Sequence, residues 1–547
     1  MNQEHYSVVV VGSGTVGLSV ATALAQYGVS VLLAERHAGT TPHPRATGIQ
    51  PSVKEFFRGL GLDEQIRAAG ADLRASKGKV DLASVAGTDL TTAPRYATPP
   101  AEVARLTTLL SPTDIGPVSQ DRIDGVLRDA ARERGAELRY RTTVTAVVQD
   151  DDGVTATLVD DADGREYTVR ADYLVAADGS GSQIRTELGI DMRGPTDLGN
   201  PMINVLFTAD LSELVKGDEF AIAEISNPDT EGMMLAVNNR DRWIYHFGYR
   251  DDEQFTDFTD ERIVRAINAA IGRDDIPVEI VSAVPWRISA RVADRVVEGR
   301  IVLAGDSAHT IPPIGAFGVS SGVGDAGNLA WKLAYLVKRQ AGPALLRSYE
   351  TERLPIVRFT RDQALLRLTH LDLHWDRVQH GEHTGVTLAD PLVTALAHQY
   401  HDGALIDPPG SLRSYSRPDL NLDGSPGTRV PHAWVQHQGK RISVLDLPQG
   451  GFALLTGPDG GEWVAAAADV AAGIGIDVRG YRVGPGCEVD DTGTAWAAQA
   501  GLRAGGALLV RPDLFVAWRS PDAVEAPREA LAAVLDRVLD LSSRSAS

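Results

Sequence analysis

Valine occupies four successive positions from Val8 to Val11, and Gly12 ends the run. β-Branched residues without polar alternation predict a strand buried on both faces over residues 7–11. Leu18, Ala21, Leu24 and Ala25 then recur at helical spacing up to Gly28, and residues 31–34 predict a second buried strand. Three short segments follow, "TTVTAVVQ", "GVTATLVD" and "REYTVR", set between polar turns; they predict an antiparallel meander. Apolar runs at 171–177 and 299–304 predict further buried strands, the first ending at Asp178-Gly179 and the second at Gly305-Asp306. Residues 196–295 predict a separate sheet. In it "RWIYHFGY" puts Trp243, Tyr245, Phe247 and Tyr249 on one strand face and Ile244, His246 and Gly248 on the other. Beyond about residue 412, the strands "ISVLDL", "FALLTG", "ALLVRP" and "LFVAWR" alternate with Ala-rich helical stretches.

The first strand, helix and second strand give meaning to Gly12, Gly14 and Gly17, which stand at G-x-G-x-x-G spacing between them. Gly12 permits the tight turn, and Gly14 lets a pyrophosphate approach the backbone. Gly17 lets helix and strand pack closely, and the helix N-terminus faces the anion. Glu35, at the end of the second strand, is placed to bind both hydroxyls of an adenosine ribose. The motif by itself fits NAD, FAD or another adenosine ligand. A second glycine-rich stretch, "AGDSAHTIPPIGAFGVSSGVGDAGNLAWKLA", begins at Ala304. Two such stretches predict one long ligand held at both ends. The second is expected to enter a helix around Gly322.

The chain's 547 residues suggest roughly two to four domains. A net charge of −20 argues against nucleic acid and against anionic membrane surfaces as partners. Cys487 is the only cysteine, so neither an intrachain disulfide nor a cysteine-based metal cluster can form, and no metal is expected. The N-terminal run reads as a strand rather than a signal peptide, and no apolar window reaches the roughly 18 residues of a membrane span. A cytoplasmic protein is expected.

Three motifs in order carry a resemblance: Gly12 to Glu35, then "DGSGSQIR" from Asp178 to Arg185, then "GDSAHTIPPIG" from Gly305 to Gly315. Together they resemble the single-component FAD-dependent aromatic hydroxylases, the family of p-hydroxybenzoate hydroxylase. The resemblance spans residues 5–375 and extends to residues 43–66, 118–136 and 345–360. "RATGIQ", "PPIGAFG" and "RFTRDQALLRL" resemble more narrowly the bacterial hydroxylases of polycyclic aromatic polyketides, of the tetracenomycin and anthracycline type. The tail is similar to the same group and to flavoproteins of indolocarbazole pathways.

The resemblance implies an α/β fold: an FAD-binding Rossmann-like domain (1–195 and 296–400), an inserted antiparallel-sheet substrate domain (196–295, with a contribution from 75–115) and a C-terminal thioredoxin-like domain (401–547). The tail has no C-x-x-C, so it would serve packing or a homodimer contact. FAD is the implied cofactor, with NADPH or NADH as transient co-substrate, and the partners are a small aromatic molecule and O2. Carried over by position, Gly12, Gly14, Val16 and Gly17 touch the pyrophosphate, and Glu35 and Arg36 stand at the ribose. Arg45, Ala46 and Gln120 approach along the cofactor, with Asp178 and Asp306 beside it. Pro313, Gly315, Gly318, Val319 and Ser320 surround the flavin, where backbone N–H groups of Val319 and Ser320 would face the charge near N1. His309 is expected to be structural. Trp243, Tyr245 and Phe247 are weighed between stacking on substrate and forming core. No catalytic residue is implied. The implied reaction is hydroxylation through a flavin C4a-hydroperoxide; Baeyer–Villiger insertion, or a flavoprotein that sequesters an intermediate, are the alternatives.

Overall fold

A computed structural model describes residues 4–44, 46–97, 99–369, 388–491, 493 and 495–546. The valine run lies within the strand Glu4–Val11, the middle of a mostly parallel sheet. Val31–Glu35 pairs parallel to it on one side and Glu166–Ala176 on the other. Glu137–Tyr140 and Ile301–Leu303 extend the sheet outward, again in parallel. The carboxyl ends of these strands therefore share one edge, and there Gly12, Glu35, Asp178 and Gly305 meet. In open α/β sheets ligands bind outside that edge.

One expectation needs revising. "REYTVR" and the apolar run after it form a single strand, Glu166–Ala176, because no turn residue separates Arg170 from Ala171. Its first half pairs antiparallel with Val154–Asp160, and Val169–Ala176 pairs parallel with Glu4–Val11. The meander thus hangs on the central sheet instead of forming a unit of its own. Helices Thr15–Gln26 and Phe317–Val337 pack together over the sheet, and Leu18, Val20, Leu24, Val323, Ala326 and Leu329 join the same core.

The second sheet has seven strands. Glu279–Ile288, Leu198–Thr208, Arg242–Gly248, Thr230–Ala236 and Ile222–Asn227 pair antiparallel in that order. Lys79–Leu82, from the earlier part of the chain, adds in parallel beside Ile222–Asn227, with Arg95–Tyr96 at the edge. Helix Asp260–Ile271 covers one face through Ile263, Ile267 and Ile271.

Near the C-terminus, Val478–Arg482 and Phe452–Thr456 pair in parallel, and Ala507–Val510 and Val516–Ser520 continue antiparallel. Helices Gly461–Ile474 and Pro527–Leu539 pack on this sheet, giving the thioredoxin-like arrangement. "ISVLDL" is only partly strand: Lys440–Ser443 gives way to a 3-10 turn at Val444–Asp446. A buried ion network fastens this domain to the rest of the chain. The Glu352 carboxylate receives Lys332 Nζ at 2.9 Å and both terminal nitrogens of Arg511 at 2.7 and 2.8 Å, all three side chains being fully buried. Paired charges hold glutamate well below its ordinary range, at about 2, although burial opposes ionisation. Among the described residues no helix is long and apolar enough to cross a membrane.

Candidate active site

Three glycines of the first turn hold their places for three different reasons. Gly12 has φ +102°, and a Cβ there would strike the carbonyl oxygen of Ala177. A Cβ on Gly17 would strike the carbonyl oxygen of Gly12, so helix Thr15–Gln26 could not sit so near the strand. Around Gly14 a Cβ would meet no protein atom within 4 Å. The first two are needed by the fold; the third keeps a space open in front of a helix N-terminus that has no side-chain cap.

Glu35 lies just beneath that space. Its Oε2 accepts from the Ser13 N–H at 2.8 Å, and its Oε1 from the His37 N–H at 2.8 Å. Burial opposes ionisation, yet these hydrogen bonds hold the carboxyl below its ordinary value. The anion is thus fixed in position, and because His37 Nδ1 also lies 2.6 Å from Oε1, Oε2 keeps the freer lone pair for a ligand hydroxyl. Arg36 is exposed beyond the strand end. Gln120 bridges two parts of this region: its backbone N–H donates to Ala46 O at 2.9 Å and its amide to Thr15 Oγ1 at 3.1 Å. Arg45 lies outside the described residues.

The second stretch repeats the threefold division. Gly315 has φ +88°, and a Cβ there would strike the Phe317 ring. Its absent side chain therefore answers to the backbone turn. Gly318 is the open one, with nothing within 4 Å of an added Cβ. Gly322 is the contact glycine, where a Cβ would come 2.5 Å from a methyl of Val16; Gly305 meets the same side chain at 2.8 Å. Val16 is thus the spacer that sets the second stretch against the first.

The helix begins at Phe317, a turn earlier than expected, after Ala316 at φ 55°. This moves the available donors. In a helix whose N-cap is Ala316, Phe317, Gly318 and Val319 keep unbonded N–H groups, whereas the Ser320 N–H is already inside the ladder. The Ser320 hydroxyl turns back to Ala316 O at 3.3 Å. Val319 keeps its expected donor and Ser320 does not. Pro313 is exposed and accepts from the Ala316 N–H at 3.1 Å. Gln50 donates to Gly315 O at 3.1 Å and so pins the loop from the other side.

Between the two stretches, Arg185 donates to Ser307 O at 3.0 Å and to Ser180 O at 3.2 Å, clamping the second motif to the third. Asp178 stands at the end of its strand. One of its oxygens, Oδ1, is buried without a hydrogen-bond partner, and burial raises its pKa. Asp306 is half-buried in the 3-10 turn Gly305–Ser307. His309 is structural: its Nε2 hydrogen-bonds Asp325 at 2.7 Å, and Asp325 also holds Arg353 at 2.9 Å and the Gly305 N–H at 3.0 Å.

The inserted sheet corrects a second expectation. Trp243 and Tyr245 are completely buried and Phe247 nearly so, all three on the face that packs beneath helix Asp260–Ile271. They are core and cannot stack on a ligand. Cross-strand register assigns Arg242, Ile244 and His246 to the opposite face, together with Asn204, Leu206, Ser282, Val284 and Trp286. That face looks toward the first domain. Ser282 Oγ hydrogen-bonds His43 at 2.6 Å, and Arg242 reaches Asp121 at 3.0 Å and Pro42 O at 3.2 Å. It also carries buried polar atoms without hydrogen-bond partners: Asn204 Oδ1, His246 Nδ1 and Trp286 Nε1. Burial, with His43 nearby, lowers the His246 pKa to about 4, so its imidazole is neutral at neutral pH. Alternation in the sequence revealed which residues share a face but not which face turns inward.

Comparison with known proteins assigns the ligand. Residues 5–364 match the family model of the FAD binding domain, and residues 423–541 match that of the aromatic-ring hydroxylase C-terminal domain. The chain belongs to the FAD-dependent aromatic hydroxylases. Tetracenomycin A2 monooxygenase-dioxygenase of Streptomyces glaucescens is 40% identical over 99% of this chain and 98% of that protein. An aklavinone 12-hydroxylase of Streptomyces purpurascens is 37% identical over 99% and 100% respectively. The crystal structure of a ternary complex of aklavinone-11 hydroxylase with FAD and aklavinone superposes with a TM-score of 0.86 at 34% identity, covering 99% of this chain and 100% of that one.

As an FAD-dependent monooxygenase of the aromatic polyketide hydroxylase family, the chain offers residues that fit the cofactor. Gly14 and Gly318 open two spaces that the protein itself leaves unfilled, and a helix N-terminus faces each. A dinucleotide with an anionic diphosphate at one end and an electron-accepting ring at the other matches both.

Proposed function

We propose that this hydroxylase installs oxygen on a neutral polycyclic aromatic molecule of polyketide type, with NADPH or NADH as reductant and O2 as oxidant. The observation that carries this reading is the inner face of the inserted sheet. It combines the accessible apolar side chain of Val284 with unpartnered polar atoms on Asn204, His246 and Trp286. A flat ring system edged with carbonyl and hydroxyl groups satisfies both halves of that surface, since buried polar atoms demand partners and the apolar ones do not. Names of the relatives, tetracenomycin A2 and aklavinone among them, support the same class.

Bound FAD supplies the redox chemistry, accepting a hydride equivalent from the nicotinamide and passing two electrons to O2. The protein's part is to bind, orient and shield. Ser13 and His37 hold the Glu35 carboxylate ready for ribose hydroxyls. N–H groups of Phe317, Gly318 and Val319 face negative charge at the ring end. Neutral His246 and the Asn204 amide orient the substrate from above, and the sheet excludes water from the reacting carbon. No second glycine fingerprint is available for the nicotinamide, so NAD(P)H binds transiently.

Stopped-flow reduction by NADPH, with and without a polycyclic phenol, tests the reading. Faster flavin reduction with the phenol and stoichiometric oxygenated product are expected. NADPH oxidation that yields only hydrogen peroxide with every aromatic offered would overturn it.

A further inference from the structure

A cavity of about 500 Å³ lies on the opposite side of helix Phe317–Val337 from Val16. Phe317, Ser320, Gly324 and Asn328 recur at helical spacing along its floor, whereas Gly322 points away toward Val16. Helix Pro51–Gly59 forms one wall through Phe56, and the C-terminal domain forms the other through Arg429, Leu514 and Phe515. Such a volume falls within the range of small-molecule sites. No part of the inserted sheet borders it.

Two features of the wall define a ligand. The first is flat apolar surface: Tyr400 and Phe515 stack with centroids 4.3 Å apart, and the His398 ring lies 5.5 Å from Phe515. The second is a set of buried polar atoms with no hydrogen-bond partner. Arg429 Nε, Thr394 Oγ1, His398 Nε2 and Asn328 Oδ1 all belong to residues bordering the cavity, and Arg429, Thr394 and Asn328 are 3%, 6% and 2% exposed. Most buried polar groups in proteins are paired, so four orphans around one cavity call for an occupant that has donors and acceptors.

Charge narrows the choice. Arg429 is balanced by Glu55 at 3.2 Å, Arg353 by Asp325 at 2.9 Å, and Arg58 by Asp446 at 2.7 Å. An added buried anion would have no counter-charge left to meet it. We propose that this interdomain cavity is a second binding site for a neutral, flat hydroxyquinone-type aromatic. Its carbonyl oxygen accepts from Arg429 Nε, its hydroxyl donates to Asn328 Oδ1, and its ring packs against Phe515. Phe317 and Ser320 place this site directly behind the candidate flavin loop, so an occupant touches the same helix as the cofactor.

The test is the binding stoichiometry of 1,8-dihydroxyanthraquinone on the FAD-loaded full chain, by equilibrium dialysis. Gly327→Leu fills the cavity, and Arg429→Lys keeps the charge facing Glu55 while removing Nε. The parent should bind one equivalent more than G327L, and R429K should weaken that equivalent about tenfold. The flavin spectrum and melting temperature of each variant report that it is folded and loaded. An equivalent lost in G327L supports the site even if the inserted sheet binds nothing. Equal stoichiometry and affinity in parent, G327L and R429K would overturn it, as would a probe-soaked crystal holding only water there.

Discussion

The two glycine-rich stretches solve one steric problem twice, with different supports. In each, one glycine makes a left-handed turn (Gly12, Gly315), one permits a close contact (Gly17, Gly322) and one stands before open space (Gly14, Gly318). The first has a buried, hydrogen-bonded carboxylate beneath it, Glu35. In the second, the first turn of helix Phe317–Val337 leaves backbone donors unbonded, and the Gln50 amide fixes the loop beside them. The contrast suits a ligand whose one end carries hydroxyls to be gripped and whose other end changes charge during reaction. It also shows that a motif glycine cannot be assigned to the ligand before asking what its Cβ would strike.

The largest effect should come from the contact and turn positions. Gly17→Val and Gly12→Val force a side chain onto a backbone carbonyl, and each should cost at least 3 kcal/mol or abolish folding, as read by urea unfolding. Gly315→Ala, strained by its φ and by the Phe317 ring, should cost about 1–3 kcal/mol. If it is neutral, the second stretch is not built as the first is.

Next come the open positions, which separate fold from ligand. Gly14→Ala and Gly318→Ala should leave apoprotein stability within about 0.5 kcal/mol of the parent, yet weaken FAD binding about tenfold, measured by flavin fluorescence titration. Unchanged FAD affinity in both would break the comparison.

Smallest is the effect of Asp178, which lies between the stretches. Its folded-state pKa is raised by burial, so its stabilising contribution is present while the carboxyl is protonated and is lost as pH rises through the folded value. Asp178→Asn should therefore raise apoprotein stability at pH 7 by on the order of 1 kcal/mol and leave it unchanged in acid. Denaturation curves at the two pH values check this. Glu352 has the opposite sign: its contribution is complete above about 4.5 and is lost as pH falls toward about 2.

The first turn was legible because its strand, glycine spacing and acid lie within one short segment, and local spacing alone fixes their geometry. The helix start at Phe317 was not. "GAFGVSSG" has the composition of a loop, and what makes it helical is packing of Gly322 on Val16, some three hundred residues earlier. Trp243, Tyr245 and Phe247 were correctly grouped on one face; the large apolar area of that face is also what drives it under helix Asp260–Ile271, leaving Asn204 and His246 on the face turned toward the first domain. Lys332, Glu352 and Arg511 gave no local signal, since they come from three separate segments and Arg511 meets Glu352 only when the C-terminal domain is in place.

Incorporation of oxygen from O2 labelled with oxygen-18 tests the central claim most directly. With FAD, NADPH and a polycyclic phenol, the account predicts a product carrying one labelled oxygen, with the rings intact and with NADPH consumed in equal amount. A product that takes its new oxygen from water, or no oxygenated product from any such phenol while the flavin turns over, would contradict it.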